Sequence, residues 1–340
     1  MRGFSRLALL SMASLPGGCA GMQSALEPHG PDAGALAWLF WFFTGVSALV
    51  WVLVMIALVI AVARGRFGPG ARKDLDPLMM DAGQDRRAKH IITGAIGATA
   101  VTLLVLTGLS YWTQKALTAP RQDELVIQVT GNQWWWNVRY EDPQPDRLFW
   151  TANEIHVPVG RPVKLVLKSN DVIHSFWVPS LAGKMDLVPG RTNELRFSAD
   201  RAGVYRGQCA EFCGYQHAHM GMLVIAEPAE AFEAWRESQI ASAPPPADPE
   251  RQKGLEVFMS QPCVMCHTIR GTDAGGRTGP DLTHVGSRRT IAAGTMPLTR
   301  GALAAWIVDP QGIKPGAKMP TMKLDADQVN ALAAYLEGLK

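Results

Sequence analysis

Two long stretches without a formal charge constrain this chain more than any other feature. The 31 residues between Asp32 and Arg64 carry no charge, and neither do the 24 residues between His90 and Lys115. A helix needs about 20 residues to cross the hydrocarbon core of a bilayer, and buried helices of soluble proteins rarely run so long without a charge. The sequence therefore predicts a transmembrane segment over residues 25–118, with helices at about 36–63 and 91–114.

Composition indicates a membrane-bound chain of several domains. The 340 residues are 47% apolar and 19% charged, and 33 Lys and Arg stand against 30 Asp and Glu, a net charge of +3. Domains of about 100 to 200 residues allow two or three in a chain of this length. The small net charge argues against nucleic-acid binding, because bulk attraction to a polyanion needs a strongly basic surface.

The N-terminus has the order of a secretory signal peptide, which we predict over residues 1–21. Two arginines precede the apolar run Leu7–Leu15, and small residues follow. Cys19 follows two glycines, as in a lipoprotein cleavage site, whereas Pro16 stands where such a site normally has Leu. Two outcomes stay open: Cys19 carries a lipid, or it is removed with the signal.

The basic residues set the orientation in the membrane. The segment from Arg64 to His90 holds seven Lys or Arg, and such an excess is typical of cytoplasmic loops. Everything after Lys115 is therefore predicted to lie outside the cytoplasm. We expect a multi-pass protein of the bacterial inner membrane, with its later domains on the periplasmic face.

An all-β domain is predicted over residues 122–230. Short β-branched or alternating runs appear there, namely Leu125–Thr130, Ile155–Val159, Pro162–Leu167, Asn193–Ser198 and Met222–Ala226. Turn residues separate them, as in an antiparallel sandwich or barrel.

This domain carries a set of soft metal ligands. His174 lies upstream, and Cys209, Cys213, His217 and Met220 follow within twelve residues. A single soft copper ion needs two imidazoles, one thiolate and a weak thioether. The second thiolate allows two thiolates to bridge two copper ions, each with one imidazole, leaving the thioether and a backbone carbonyl as weak outer ligands.

A disulfide is the alternative for the two cysteines, since the predicted compartment is oxidising. Taken alone, a C-x3-C spacing favours it. A disulfide needs neither imidazoles nor a thioether, however, so the surrounding ligand set favours metal. His219 competes with His217 as a ligand, and we expect His219 to be an ordinary exposed histidine.

A second external domain is predicted over residues 248–340, after a Pro-rich linker at 231–247. A helix is expected over Asp248–Ser260, and Cys263-Val-Met-Cys266-His267 follows it. C-x-x-C-H is the attachment signature of c-type haem, in which two thiols bind the vinyl groups and the histidine ligates the iron. A thioredoxin-like or zinc site would need a βαβ context or a second ligand pair.

The sixth iron ligand is expected from a methionine on a later loop. Met296, Met319 and Met322 are the candidates. The stretches 279–282 and 313–320 resemble small class I cytochromes c, in which the second stretch carries the axial methionine. That resemblance favours Met319, with Met296 as the alternative. A capped amphipathic helix over Asp325–Leu339 is expected to pack on the first helix of this domain.

The copper motif also resembles a known family. His174 with C-x-E-x-C-x3-H-x2-M is similar to the dinuclear copper A domain, a cupredoxin, of subunit II of haem-copper cytochrome c oxidases, and the resemblance covers residues of about 25–230. It implies that the metal ligands are His174, Cys209, Cys213, His217 and Met220, with the main-chain carbonyl of Glu211. It further implies that the Glu211 side chain reaches a magnesium ion at the border with subunit I.

Two further stretches compare with that family. The first Trp of Gly131-Asn-Gln-Trp134-Trp-Trp matches the aromatic residue near the surface where electrons enter, although three consecutive Trp also suit packing alone. Near the second transmembrane helix the family often has a Glu at a proton channel. This chain has Arg87-Ala-Lys-His90 there, without a carboxylate.

Together the resemblances imply subunit II of a bacterial caa-type cytochrome c oxidase: a multidomain membrane protein with two transmembrane helices, an all-β cupredoxin domain and an all-α class I cytochrome c domain. Electrons would pass from an external donor, a cytochrome c or a bc complex, through haem c and copper A to subunit I, where dioxygen is reduced to water. Subunits I and III and the bilayer are the implied partners. A tethered haem has an effective concentration on the order of millimolar, so we expect it to reach copper by diffusion.

Two other functions remain candidates. One is a membrane-anchored electron carrier that serves another reductase. The other is a copper-delivery or redox-sensing protein, which would use the cysteines but would need neither Trp134 nor a fused haem.

Overall fold

The computed structural model describes residue 21 and residues 23–67 and 82–340. The expected signal peptide, apart from Gly21, and the question of Cys19 lie outside the described residues. The chain divides into two compact units. One unit spans Ala35–Ala119, and the other joins the residues up to Gly34 with Pro120–Lys340.

The described residues of the first unit form two long helices, α1 over Pro31–Phe67, whose first residues belong to the other unit, and α2 over Ala82–Thr118. Both are long and apolar enough to cross a membrane. Large apolar side chains along them are exposed, such as Trp51 at 64% and Leu104 at 73%, which suits a lipid environment. The two predicted helices are confirmed, and each extends beyond its uncharged stretch into the flanking residues.

Ten strands build the β domain. In chain order they are β1 Leu125–Asn132, β2 Trp135–Tyr140, β3 Phe149–Ala152, β4 Glu154–Pro158, β5 Val163–Ser169, β6 His174–Trp177, β7 Met185–Leu187, β8 Asn193–Phe197, β9 Gly203–Cys209 and β10 Gly221–Glu227. One sheet has the order β3-β2-β1-β5-β8, and the other has the order β4-β10-β9-β6-β7. Fully buried side chains such as Ile127, Trp136 and Phe176 form the core of the domain.

The predicted all-β domain is confirmed, with one difference in topology. A purely antiparallel arrangement was expected, whereas β1 pairs with β5 and β4 pairs with β10 in parallel. The chain leaves the first sheet after β3, forms β4 in the second sheet and returns as β5. A strand that returns to the same sheet after such an excursion can run beside β1 in the same direction.

The segment expected as a linker starts with a helix, α3, over Ala229–Ile240. Its Phe232 is fully buried in the β-domain core, so the helix packs against the sandwich. The extended stretch after α3 is held against the next domain. The Ala243 amide donates to the Arg270 carbonyl at 2.9 Å, so the connection is shorter and more fixed than the sequence indicated.

The last domain is mainly helical. It contains α4 Pro249–Ser260, α5 Cys263–Cys266, the short strands β11 Thr290–Ile291 and β12 Met296–Pro297, and then α6 Arg300–Val308, α7 Pro310–Ile313 and α8 Ala326–Gly338. Asp248 and Asp325 are the N-caps of α4 and α8, as expected from side chains that accept the free amides of a first turn.

The predicted packing of the first helix of this domain on its last helix is confirmed. A Cβ atom at Gly254 would lie only 2.1 Å from the Ala331 carbonyl oxygen, so α4 and α8 approach backbone to backbone. Phe258 and Tyr335 pack beside this crossing with ring centroids 6.4 Å apart. The small residue is therefore required for the contact that closes this core.

Candidate functional site

Adjacent strands bring the expected copper ligands together. His174 begins β6 and Cys209 ends β9, and these two strands pair with Phe176 opposite Cys209. The loop after β9 carries the remaining ligands and returns as β10. The donor atoms of His174, Cys209 and Cys213 lie within 4.8 Å of one another.

The two sulfurs form the centre of the cluster, with one imidazole at each. Cys209 Sγ and Cys213 Sγ are 3.7 Å apart, well beyond the roughly 2.05 Å of a disulfide bond. His174 Nδ1 lies 3.9 Å from Cys209 Sγ, and His217 Nδ1 lies 3.6 Å from Cys213 Sγ. This near-symmetric arrangement suits two bridged metal ions that have one imidazole each.

The two expected weaker ligands each lie beside a different sulfur. Met220 Sδ is fully buried at 3.9 Å from Cys213 Sγ, and the Glu211 carbonyl oxygen is 3.2 Å from Cys209 Sγ. The Glu211 carboxylate points to Lys184 at 3.7 Å. His219 is exposed, and its Nδ1 lies 2.7 Å from Gln216 Oε1. The structure thus brings together the six expected residues and leaves His219 outside.

The electrostatics of the pair favour early ionisation of one thiol. The hydrogen bond with Cys213 lowers the pKa of Cys209 to about 3, assisted by His174 against the cost of burial. The same hydrogen bond, together with burial, raises the pKa of Cys213. Burial alone would lower the pKa of His174, but its contacts with Cys209 and Asp171 raise it. The two close sulfurs thus share one proton, and a bound metal would displace that proton.

Supporting residues that the sequence analysis missed fix the orientation of His174. Asp171 Oδ1 lies 2.8 Å from His174 Nε2, so the ring donates there and turns Nδ1 toward the sulfur. The Gln133 amide donates to the other Asp171 oxygen at 2.7 Å. A Cβ atom at Gly131 would lie 2.7 Å from the His174 ring. The detectable signal was a carboxylate three residues before a candidate ligand.

Trp134 contacts the same loop. Its indole Nε1 donates to the Cys213 carbonyl at 2.9 Å, beside a second donor, Gln133 Nε2. The ring is only 9% exposed. On its far edge it faces Gly316 of the last domain, where a Cβ atom would lie 3.4 Å from the ring. The residue expected near a surface is therefore covered by the second external domain.

The haem attachment motif is built around His267. Cys263 and Cys266 are free and partly exposed on α5. His267 Nδ1 lies 2.8 Å from the Pro280 carbonyl, which leaves Nε2 for a metal. A Cβ atom at Gly279 would lie 2.7 Å from the imidazole. Burial lowers the pKa of His267, and the neutral ring is the form that binds iron.

The favoured methionine, Met319, and its alternative, Met296, differ in their surroundings. Met296 pairs with Ile291 in the short β11–β12 ladder and packs against the core of this domain. Among the described residues, Met319 does not belong to that core. The Met319 carbonyl accepts a hydrogen bond from Gln311 Nε2 at 2.8 Å, which fixes the loop. Met296 thus has a packing role, and the Met319 side chain is left available for another contact.

Comparisons with known proteins agree with this architecture. Residues 125–227 match the family described as cytochrome c oxidase subunit II, periplasmic domain, and residues 252–340 match the cytochrome c family. The chain is similar to cytochrome c oxidase subunit 2 of Alkalihalophilus pseudofirmus, with 35% identity over 95% of this chain and 93% of the relative.

Further relatives cover parts of the chain. Cytochrome c oxidase subunit 2 of Bacillus subtilis is 35% identical over 70% of each chain. The crystal structure of the periplasmic domain of subunit II of cytochrome oxidase from Bradyrhizobium japonicum is 33% identical, with 35% of this chain and 95% of that chain covered and a TM-score of 0.33. The protein belongs to the cytochrome c oxidase subunit 2 family, as a member with two candidate membrane helices and a C-terminal cytochrome c domain.

Proposed function

We propose that this chain receives electrons at a haem c and passes them through a dinuclear copper A centre to subunit I of a haem-copper oxidase. The observation that carries the proposal is the sulfur pair of Cys209 and Cys213, 3.7 Å apart with one imidazole at each sulfur. A copper pair held by these residues would share one electron over two metals, so its bond lengths would change little. The chain itself supplies electron transfer, and dioxygen reduction belongs to subunit I.

The contacts support the following ligand assignments. His174, Cys209, Cys213, His217 and Met220 would hold copper through side chains, and Glu211 would hold it through its carbonyl. The carboxylate of Glu211 is 43% exposed. It is therefore accessible for a magnesium ion at the border with subunit I.

The haem would be held by Cys263, Cys266 and His267, with Met319 as the sixth ligand. The Pro280 carbonyl and the close approach of Gly279 orient the His267 ring. Burial lowers the pKa of His267 and so favours the neutral imidazole, and the Pro280 contact at Nδ1 leaves Nε2 free. A haem attached at this motif therefore fits the residues that are present.

Trp134 would connect the two redox groups. Its indole donates to the Cys213 carbonyl, and its opposite edge faces Gly316, three residues before Met319. A π-system in contact with a copper-ligand residue on one side and the haem-ligand loop on the other suits electron transfer. Packing alone accounts for fully buried Trp136, which has no such contact with the cytochrome domain among the described interactions.

The protein would lie in the bacterial inner membrane, with both redox domains on the periplasmic face. Subunit I receives the electrons, subunit III completes the complex, and a cytochrome c or bc complex reduces the haem. The competing function, an electron carrier for another reductase, would use the same cofactors. Copurification distinguishes the two, because only the oxidase subunit should bring subunit I and its haems with it.

The direct test is single-turnover kinetics on the purified complex. We expect about two coppers and one haem per chain, and rapid photoreduction of the haem should be followed by copper reduction at a rate independent of protein concentration, because transfer within one chain is unimolecular. Absorbance at the haem and copper bands gives both steps. A haem that stays reduced while copper stays oxidised would contradict the proposal.

The iron-ligand assignment has its own test. We expect Met319→Ala to change the haem spectrum and to lower the reduction potential, because a thioether ligand raises that potential. Potentiometric titration of the complex measures it. Met296→Ala is the matched control and should leave the potential close to wild type. If instead Met296→Ala lowers the potential and Met319→Ala does not, the ligand is Met296.

A further inference from the structure

A buried lysine of the cytochrome domain reaches the copper loop. Lys314 is 3% exposed. Its Nζ donates to the carbonyls of Trp134 at 2.8 Å, His219 at 2.7 Å and Ala292 at 3.0 Å. Two of these acceptors belong to the β domain and one to the cytochrome domain. A single ammonium group therefore joins backbone of both domains.

The geometry matches the chemistry of an ammonium group. It has three N–H donors and no acceptor, and each donor finds one carbonyl oxygen here. Burying such a group without partners is costly. Burial lowers the pKa of Lys314 to about 7, and no carboxylate forms a salt bridge with it in the part of the chain that the structure describes. The three carbonyls are thus the groups that compensate its burial.

Lys314 contacts residues beside the copper-ligand candidates and lies on the loop that leads to Met319. His219 lies between the copper-ligand candidates His217 and Met220, and Trp134 bonds to the loop at Cys213. Next to Lys314, the Pro315 carbonyl accepts from Gln216 Nε2 at 2.9 Å. These bonds fasten the start of the loop that leads to Met319 directly to the copper loop.

That loop needs a glycine to make the contact. Gly316 has φ +84°, a left-handed conformation that side chains other than glycine rarely adopt. A Cβ atom at this position would lie 3.4 Å from the far edge of the Trp134 ring. The turn at Gly316 therefore brings the backbone close to the indole between Lys314 and Met319.

In a second contact, a side chain of the β domain meets backbone of the cytochrome domain. Glu154 of the β domain is 3% exposed. Its Oε1 accepts from the Arg289 amide at 2.8 Å and from the Thr290 amide at 2.9 Å. The Thr290 hydroxyl donates to the same oxygen at 3.2 Å. This carboxylate is thus partnered by backbone of the cytochrome domain.

Two residues with unfavourable backbone conformations also lie at this contact. Ala292 and Ala293 both have positive φ, 53° and 59°, which is unfavourable for residues with a Cβ. The Ala292 carbonyl accepts from Lys314, and the Ala293 carbonyl accepts from the Gly221 amide of the β domain at 2.9 Å. The Ala293 bond crosses to the β domain, and the Ala292 bond holds Lys314, whose other two bonds cross to the β domain.

We propose that Lys314 and Glu154 are positioning residues that lock the cytochrome domain onto the β domain, with Trp134 held between the copper loop and the Met319 loop. This inference rests on the proposed function and deepens it. It replaces the sequence-based expectation of a haem that diffuses on its tether. In a locked pair, the distance and path between haem and copper are set by buried bonds rather than by encounter.

The test uses the purified oxidase complex with the full chain. Lys314→Met removes the ammonium and keeps an unbranched side chain, and Lys323→Met is the matched control because Lys323 is exposed on the same long loop. Haem is photoreduced, and copper reduction is followed in buffers of increasing glycerol content. Haem potential and the copper signal are recorded on every variant.

A locked pair predicts a wild-type transfer rate that does not change with viscosity. In Lys314→Met we expect transfer to be slower by about tenfold or more, as for loss of a buried charged contact at an interface. It should also slow further as viscosity rises, because transfer then waits for docking. Haem potential and copper signal should stay as in wild type, and Lys323→Met should behave as wild type throughout.

Other results overturn the inference. Wild-type transfer that slows with viscosity, or a Lys314→Met rate that equals that of Lys323→Met, would show that no lock exists. If Lys314→Met loses the copper signal, Glu154→Leu decides, because it removes the acceptor oxygen and Glu154 has no contact with the candidate ligands among the described residues. A viscosity-dependent slowing then supports the lock, and a wild-type rate overturns it. Absence of any haem-to-copper transfer in wild type would instead contradict the proposed function.

Discussion

Replacing Cys213 with serine is expected to abolish the shared-copper signal and to lower oxidase turnover by more than about 100-fold, since even residues that only support a metal ligand change activity by up to that factor. The Cys213 sulfur contacts Cys209, His217 and Met220. A serine oxygen is a harder and weaker ligand for copper than a thiolate. The haem spectrum should remain intact, because no attachment residue is altered.

The measurement is electron paramagnetic resonance together with metal analysis of the purified complex. Tyr215→Ser is the matched control, since Tyr215 lies in the same loop and is 82% exposed. It should retain both coppers and turnover. Wild-type protein without copper, with Cys209 and Cys213 joined in a disulfide after anaerobic purification, would refute the copper assignment.

The main architecture was predictable because its signals are strong and local. An uncharged stretch between Asp32 and Arg64 allows few folds other than a membrane helix. Asp248 and Asp325 mark helix starts by their ability to accept amide hydrogens, and both are N-caps in the structure. The ligand candidates around Cys209 were identified from chemistry and spacing, without knowledge of the strands that bring His174 to them.

Other elements had weak signals. The β6 strand is only four residues long, and β7 is three, too short for an alternating pattern to be visible. The α3 helix was not predicted, and a linker was expected in its place. Its one fully buried apolar residue, Phe232, gives too little periodicity to indicate a helix. Such elements are defined by tertiary packing rather than by local sequence.

Most of the supporting contacts had no signal in the sequence. Lys314 looks like any charged residue of a polar loop, yet it is buried against carbonyls of Trp134 and His219. Pro280 lies in a recognised stretch but acts through its backbone carbonyl, and the only signal for Asp171 was its place three residues before His174. Backbone carbonyls are present at every residue, so sequence cannot show which of them a side chain will meet.

Truncation after Ala243 is expected to lower turnover with the external donor by about tenfold or more, because the haem domain, which covalent linkage keeps at the copper centre, is lost. The copper centre should remain, since all six candidate ligands precede the truncation and α3, which ends at Ile240, still covers the β-domain core. Dioxygen uptake with the external donor measures the loss. The same complex with a small chemical reductant is the internal control and should turn over.

The outcome also decides where electrons enter. In the full chain, Lys314 and Gly316 cover Trp134, so under the proposed function we expect a large donor to reduce the haem rather than reach the indole. Truncation removes that cover and exposes both Trp134 and the carboxylate of Glu154. If the truncated complex respires as fast as the full complex with the external donor, the donor reduces copper directly at the β domain. The cytochrome would then be a side branch, and the covered Trp134 would have to become accessible during turnover of the full chain.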